Sequence, residues 1–192
     1  MKSAKTWIIL TILAAAGAYA GIALCAAEKS AAEKTGGVYI LQSSSRPAEL
    51  KVLDRWVGEW DCEASTVCNN DKSTEIKMTA TVSRKWVLDD QFVQEAESFS
   101  DGGKYLMMFG YDQEKKAYRI WRFDSYGRSL DVQGQWDDAS QTMTSKIDGP
   151  NDISTLVTIH FTDKDTHEWK AVAKDATGKT ILKCSEQYTR KK

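Results

Sequence analysis

The 192-residue chain lacks an excess of charge of either sign, since 26 basic and 27 acidic residues give a formal net charge of −1. Loss of the first 27 residues would remove Lys2 and Lys5 and leave 24 basic against 27 acidic residues. Charges of both signs are interspersed, apart from the terminal Arg190-Lys191-Lys192. Because no basic field remains to attract phosphates, we expect no nucleic-acid partner.

Histidine and the common catalytic motifs are scarce as well. The two histidines, His160 and His167, have no neighbour at a ligand spacing, so the sequence predicts no metal site. In a strand, His160 would face away from Val157, Ile159 and Phe161, so we expect it on the solvent side. The chain contains neither a Gly-x-Ser-x-Gly motif nor a phosphate-binding glycine loop. No class of enzyme is therefore indicated.

Long apolar runs are limited to one, from Trp7 to Ala27, which follows Lys2 and Lys5 and contains no acidic residue. This arrangement is typical of an export signal, and small residues permit cleavage after Ala20, Cys25 or Ala27. The run is also just long enough to cross a bilayer as an uncleaved anchor. Its second half is mostly Ala and Gly, which favours the cleaved signal. We expect residues 1–27 to be a signal peptide or N-terminal anchor, and the protein to be exported to the periplasm or secreted.

A linker and a short helix follow this run. Residues 28–46 are rich in Ala, Lys, Glu, Gly and Ser without a period, which predicts a flexible linker. Pro47 suits a first helical turn, and Leu50, Leu53 and Trp56 recur at helical spacing. The sequence therefore predicts a short helix that ends near Trp56.

Beyond Gly58 the apolar residues alternate with a period of two, and turn residues such as Asp101-Gly102-Gly103 separate the runs. The strand-like runs are residues 59–68, 73–83, 86–98, 104–111, 117–124, 128–136, 140–147, 153–162, 166–174 and 180–189. No helix-length segment remains to cover an open sheet, and closure removes exposed edges. Residues 47–192 are thus predicted to form an all-β domain, a single antiparallel meander β-barrel of about ten strands with a short N-terminal helix. Ten strands leave a cavity unless large side chains fill it.

Motifs spread over this domain carry a family resemblance. They are Leu53-x-x-Trp56-Val57-Gly58-x-Trp60, Trp86-Val87-Leu88 with Phe92, Gly110-Tyr111-Asp112 with Tyr118 and Trp121, Asp124-Ser125, and Tyr188-Thr189-Arg190. In order and spacing they resemble the DUF1579 family, a bacterial domain of unknown function. The resemblance implies a calycin fold similar to lipocalins and nitrobindins. It also implies that Trp60 lies at the floor of the barrel with Arg190 stacked near it, and we expect Trp56 to cover the end.

Haem is the one cofactor that this resemblance brings into consideration, because nitrobindin-like barrels bind haem through a histidine. The closing strand of this chain, from Thr180 to Arg190, contains no histidine. We therefore expect no cofactor.

The predicted function is the binding of a small, largely apolar ligand in the barrel cavity. The candidate ligand-binding residues are Trp60, Trp86, Phe109, Tyr118, Arg122, Asp124, Tyr188 and Arg190. Arg122 and Asp124 share one strand face, with Trp121 and Phe123 on the other, and the pattern leaves open which face points inward. The alternatives are an enzyme that uses Arg122 with Asp124 or Glu186, and a structural or protein-binding barrel without a ligand. A membrane is expected as a partner only through an uncleaved N-terminal segment.

Three cysteines of the domain, Cys62, Cys68 and Cys184, lie in the first and last strands, which a barrel brings together. In an exported protein a disulfide is favoured over a metal site. Cys62 and Cys68 cannot pair along one strand, because six extended residues span about 20 Å. Cys184 is therefore the common partner. The register implied by the resemblance places Cys184 opposite Thr66 and diagonal to Cys68, so Cys68 with Cys184 is preferred over Cys62 with Cys184.

Overall fold

The structure is a computed structural model that describes residues 45–68 and 74–192. The predicted signal or anchor at residues 1–27 lies outside the described residues, and so do residues 28–44 of the predicted linker. No helix within the described ranges is long and apolar enough to cross a membrane.

Ten antiparallel strands follow a short 3-10 helix, Ala48–Arg55, which we call the N-terminal helix. The strands are β1 Gly58–Cys68, β2 Thr74–Val87, β3 Phe92–Phe99, β4 Lys104–Asp112, β5 Ala117–Asp124, β6 Ser129–Asp137, β7 Thr142–Asp148, β8 Ser154–Phe161, β9 Thr166–Lys174 and β10 Thr180–Arg190. A further 3-10 turn, Pro150–Asp152, precedes β8. Each strand pairs with its sequence neighbours, and β1 pairs with β10 to close the barrel. The predicted all-β meander barrel with an N-terminal helix is confirmed.

Alternation of side chains between two faces produces this barrel from the sequence. In β1, Trp60, Cys62 and Ala64 are buried while Glu59 and Glu63 between or beside them are exposed. The same period of two continues in the other strands, so one face of each strand lines the interior. The interior is consequently built from every second residue.

One strand boundary differs from the sequence prediction. The sequence predicted a turn between the runs 73–83 and 86–98. In the structure this turn lies later in the chain, because β2 continues to Val87 and β3 begins only at Phe92. Leu88, Asp89 and Asp90 carry the chain through this turn with φ values of 53°, 54° and 59°. Asp tolerates the left-handed region better than most residues, so Asp89 and Asp90 were the available turn signal.

The N-terminal helix closes one end of the barrel. Leu50, Leu53 and Trp56 insert fully buried side chains into the core cluster that contains Val93 and Phe109. Trp56 is 1% exposed, as deeply buried as Trp60 at 0%. The expectation that Trp56 covers the end is therefore wrong, because the helix places its indole 4.5 Å from the Phe161 ring inside the barrel.

Candidate functional site

Two adjoining cavities lie inside the barrel. The larger, of about 170 Å³, begins next to Trp56 and Phe109 above the N-terminal helix. The smaller, of about 100 Å³, reaches Gly149 and Pro150 towards the opposite end. Both are lined by Arg122, Leu130, Ile147, Val157, Trp169 and Cys184. Because they share these side chains, the cavities follow one another along the barrel axis.

The larger cavity has an apolar side and a polar side. Strands β4 to β8 contribute mainly apolar side chains, among them Met107, Phe109, Ile120, Val132 and Ile159. The contiguous strands β9, β10, β1, β2 and β3 carry most of the polar ones, and Tyr105, Arg122 and Ser145 lie on the other side. We call the following group the polar wall: Arg84, Glu95, Glu97, His167, Glu186 and Tyr188. The asymmetry would orient a ligand that has one polar end.

Arg84 is the central cation of the polar wall. Its Nε donates to Glu95 Oε2, and its Nη1 lies 2.9 Å from His167 Nε2. Because a guanidinium can only donate, His167 accepts at Nε2 and carries its own proton on Nδ1. Burial, together with the charges of Arg84 and Arg190, lowers the pKa of His167 to about 2. His167 is therefore a neutral imidazole at physiological pH.

Aromatic stacking fixes the position of His167 and of Tyr188. The two rings are nearly parallel, with centroids 4.4 Å apart and an interplanar angle of 6°. Phe161 stacks on the imidazole at 4.8 Å, and Trp60 meets it edge-on at 4.6 Å. The guanidinium of Arg84 lies 4.8 Å from the Tyr188 ring centroid, a favourable cation–π distance. This column aims the Tyr188 hydroxyl at the carboxyls of the polar wall.

The Tyr188 hydroxyl lies between two carboxyls. It contacts Glu186 Oε2, and it is 3.3 Å from Glu97 Oε1. A phenol has one proton to donate, so the two contacts are both satisfied only when a carboxyl carries a proton. Burial, and then the charges of Glu186 and Glu95, raises the pKa of Glu97 well above its ordinary value. Burial also raises the pKa of Glu186, so the pair holds a proton at a pH where exposed carboxyls are ionised.

Two polar atoms of the wall have no hydrogen-bond partner among the described residues. They are Glu95 Oε1 and His167 Nδ1, and both residues are 1% exposed. An unsatisfied buried polar atom costs about 1–3 kcal/mol. The polar wall therefore destabilises the fold locally, which is common in functional sites.

Cys62 of β1 lies beside the carboxyl pair. Its Sγ and one carboxylate oxygen from each of Glu97 and Glu186 all lie within 4.8 Å of one another. Burial, and then the charges of Glu186 and Glu97, raises the pKa of the Cys62 thiol. Three distant parts of the chain, in β1, β3 and β10, thus meet at one point of the interior.

Arg122 faces inward, which decides the question that the sequence left open for β5. Its guanidinium lies 4.2 Å from the Tyr105 ring centroid. It lines both cavities and forms no hydrogen bond or ion pair with any residue in the described part of the chain. Phe123, on the other strand face, is 46% exposed. Arg122 is therefore a cation that faces the junction of the two cavities.

Asp124 lies at the smaller cavity and is engaged elsewhere. Its Oδ2 accepts from Arg128 Nε at 2.6 Å, and its Oδ1 accepts from the backbone NH groups of Tyr126 and Arg128. Burial opposes ionisation, but these hydrogen bonds outweigh it and lower the pKa of Asp124. The structure therefore forms no acid–base pair between Arg122 and Asp124, because the turn after β5 satisfies the carboxylate.

Of the other predicted ligand-binding residues, Phe109 and Tyr188 line the larger cavity, whereas Trp86 and Tyr118 do not line either cavity. Trp86 Nε1 donates to Asp54 Oδ1 at 3.1 Å, and the Tyr118 hydroxyl donates to the carbonyl of Glu49 at 2.8 Å. Both acceptors belong to the N-terminal helix. Trp86 and Tyr118 therefore hold that helix in place.

Trp60 and Arg190 are also absent from the cavity walls, and their placement follows the family resemblance. They are register partners across β1 and β10, with the Arg190 guanidinium 4.1 Å from the Trp60 ring centroid. Arg190 also donates to the carbonyls of Arg55 and Val57, at 2.9 and 2.5 Å. A Cβ at Gly58 would collide with this guanidinium, and Gly58 has a φ of 134°. The pair is therefore the floor of the barrel and requires glycine at this position.

Sequence reasoning missed Arg84, Glu95, Glu97 and His167. The signal in the sequence was Val93-x-Glu95-x-Glu97-x-Phe99, in which two acids share a strand face with two apolar residues. Neither Glu95 nor Glu97 was among the candidate acids named from the sequence, which were Asp124 and Glu186. An acid in the inward register of a barrel strand is the more informative pattern, since burial of a carboxyl is costly.

The histidine and cysteine predictions have different outcomes. His160 is exposed, as predicted. His167 is buried, with Nε2 at Arg84 and Nδ1 enclosed, so neither nitrogen points at open space for a haem iron.

Cys184 pairs with Thr66 in the β1–β10 register, as predicted. All three cysteines in the described ranges are free thiols, so the disulfide stays a prediction.

A closed antiparallel barrel of ten strands, with a helix across one end and a cavity inside, defines a protein of the lipocalin-like class. The chain belongs to the DUF1579 family, a family described as "protein of unknown function", whose model matches residues 46–190. No curated protein matches the chain.

Two solved structures have a similar fold. The S-type phycobiliprotein lyase CPES from Guillardia theta superposes with a TM-score of 0.52 at 15% identity, covering 77% of this chain and 94% of the lyase. Rv2717c from M. tuberculosis superposes with a TM-score of 0.53 at 9% identity, covering 77% of this chain and 100% of that protein. At these identities the similarity establishes the fold alone.

Proposed function

We propose that this barrel binds a small, largely apolar molecule in its larger cavity. The observation that carries the proposal is a cavity of about 170 Å³ with an apolar side and a polar side. A buried apolar cavity of about 150 Å³ accommodates a molecule the size of benzene. The adjoining cavity of about 100 Å³ offers room for a longer molecule.

The polar groups suggest how such a molecule is oriented. Arg122 lies where the two cavities adjoin and has no carboxylate partner at ion-pair distance among the described residues, although its charge partly offsets the burial that raises the pKa values of Glu97 and Glu186. A carboxylate on the ligand would supply that partner, while its apolar part packs between Met107 and Val157. One protein of similar fold is a phycobiliprotein lyase. This precedent is compatible with ligand handling by the fold, but the proposal depends on the cavity.

Tryptophan fluorescence tests the proposal, because Trp56 and Trp169 line the larger cavity. We expect saturable quenching by one or more members of a panel of fatty acids, retinoids, haem and aromatic acids. Val157→Phe, which fills the cavity, should weaken this binding at least tenfold. Leu156→Phe is the matched control, because Leu156 is the preceding residue on the same strand and is 49% exposed on the outer face.

Two results would contradict ligand binding in the cavity. One is the absence of quenching by any member of the panel, which would leave a structural or protein-binding barrel as the better interpretation. The other is equal affinity in Val157→Phe and Leu156→Phe, which would place the ligand outside. Turnover of a bound molecule that is lost in Glu186→Gln would instead favour the enzyme alternative, since Glu186 lines the cavity.

We also propose that the domain acts after export, with a disulfide between Cys68 and Cys184. The support is the apolar run from Trp7 to Ala27 behind two lysines, together with the β1–β10 register that places Cys184 diagonal to Cys68. Thiol counting on protein isolated from its own host should find two of the three thiols of the domain oxidised. Recovery of the protein in the cytoplasm with all three thiols free would contradict both parts.

A further inference from the structure

We propose that Cys62, Glu97 and Glu186 bind a divalent transition-metal ion of the zinc class. The proposal goes beyond ligand binding by the cavity and does not depend on it. It assigns a role to the buried acids of the polar wall, which an apolar ligand would not need.

The three side chains supply a suitable donor set in a converging geometry. Their ligand atoms lie within 4.8 Å of one another, one each from β1, β3 and β10. Zinc accepts thiolate sulfur at about 2.3 Å and carboxylate oxygen at about 2.0–2.2 Å in tetrahedral sites. Tetrahedral ligands at those distances are about 3.5 Å apart, so the side chains would have to close by no more than about 1.3 Å. The mixture of a soft sulfur with oxygen donors favours Zn²⁺ or Co²⁺ over Mg²⁺ or Ca²⁺.

A second observation is a buried carboxylate oxygen in the same cavity that has no hydrogen-bond partner within the described ranges. Glu95, which lines the same cavity, has an Oε1 atom without any hydrogen-bond partner in the described part of the chain, although its side chain is 2% exposed. Three carboxyls, of Glu95, Glu97 and Glu186, face this cavity with only two guanidiniums, Arg84 and Arg122. Acids that are enclosed in this way are expected to be paired or to coordinate a metal.

The surrounding residues fit the role of support for such a site. The Tyr188 hydroxyl contacts Glu186 and is held in place by its stack on His167. Hydrogen bonds of this kind orient metal-ligating carboxylates. Glu97 and Glu186 line the larger cavity, so a fourth coordination position would face that cavity.

Cobalt titration of the full chain provides the test, after chelator treatment and reduction with a phosphine. We expect one equivalent of Co²⁺ to produce a thiolate-to-cobalt charge-transfer band in the near ultraviolet. Zn²⁺ should abolish the band by competition and raise the thermal unfolding midpoint. Cys62→Ala should remove the band, and the isosteric Glu97→Gln should weaken binding at least tenfold.

Cys68→Ala is the matched control, because Cys68 is buried on the same face of β1 but is not part of the three-residue group. We expect it to keep the band, as should Cys25→Ala. Glu97→Gln decides the outcome should Cys62→Ala not fold. The proposal is overturned by a wild-type protein without the band, or by a band that persists unchanged in Cys62→Ala or Glu97→Gln.

Discussion

The closed end of the barrel and the polar wall touch where Trp60 meets His167, but the two regions follow opposite rules. At the closed end, Trp60 donates to the Trp56 carbonyl at 2.9 Å, and Arg190 caps two carbonyls of the chain entering β1. In the polar wall, Glu95 and His167 each leave a buried atom without a partner within the described ranges. The comparison indicates that the closed end maintains the fold, whereas the polar wall leaves these buried polar atoms unsatisfied at a cost in stability, a pattern expected of functional sites.

Truncation of an aromatic residue should separate the two regions most clearly. Trp60→Ala is expected to lower the free energy of unfolding by about 3–5 kcal/mol, since it empties a fully packed position. Trp169→Ala should lower it by less than half as much, because Trp169 already borders both cavities. Urea unfolding of both variants measures the difference. Equal urea midpoints would mean that Trp169 is packed as closely as Trp60 in solution, and therefore that other side chains fill the cavities.

Breaking the ion pair of the polar wall should have the next largest effect. Arg84→Met leaves Glu95 as an uncompensated buried carboxylate, and we expect a loss of about 3 kcal/mol. Arg84→Met combined with Glu95→Leu should recover at least half of that loss, because the stranded charge is then removed. A double variant no more stable than Arg84→Met would show that Arg84 stabilises the fold mainly through His167 and Tyr188.

Acidification should destabilise the protein through His167. Its pKa is depressed to about 2 in the folded state, so the unfolded chain takes up a proton that the folded chain rejects. The stability is fully present above pH 6.5 and falls as pH decreases towards 2, by about 1.4 kcal/mol per unit, or about 2 kcal/mol at pH 5.

Urea unfolding between pH 8 and pH 5 measures this effect against two variants. His167→Gln should remove this part of the pH dependence, while the exposed-site control His160→Gln should keep it. The comparison is needed because the raised pKa of Glu97 contributes in the opposite direction below neutral pH. Parallel curves for all three proteins would contradict a neutral buried His167.

The smallest expected effect concerns ligand preference. Arg122→Ala should weaken the binding of anionic panel members about tenfold relative to their neutral analogues, because it removes the unpaired guanidinium. Arg119→Ala is the control, since Arg119 lies on the outer face of the same strand and pairs with Asp131. The same preference in both variants would mean that the anion binds elsewhere.

The fold could be predicted from local patterns, whereas only part of the site could. Alternation from Glu59 onward and the turn residues predicted ten strands, and the family motifs predicted that Trp60 pairs with Arg190. Of the residues predicted to bind a ligand, Phe109, Arg122, Asp124 and Tyr188 line a cavity, and their binding role stays a prediction. Trp86 and Tyr118 do not line one, because aromatic composition does not distinguish a residue that holds a helix from one that lines a pocket.

The sequence by itself determined the barrel, because side-chain alternation and turn chemistry act between residues close together in the chain. The β1–β10 register around Trp60 and Arg190 was implied by the family resemblance and not by the pattern of the residues. The tertiary structure alone decided where charge is buried. Cys62, Glu97 and Glu186 are far apart in sequence and become neighbours only when the barrel closes, and their low-dielectric environment exists only inside it.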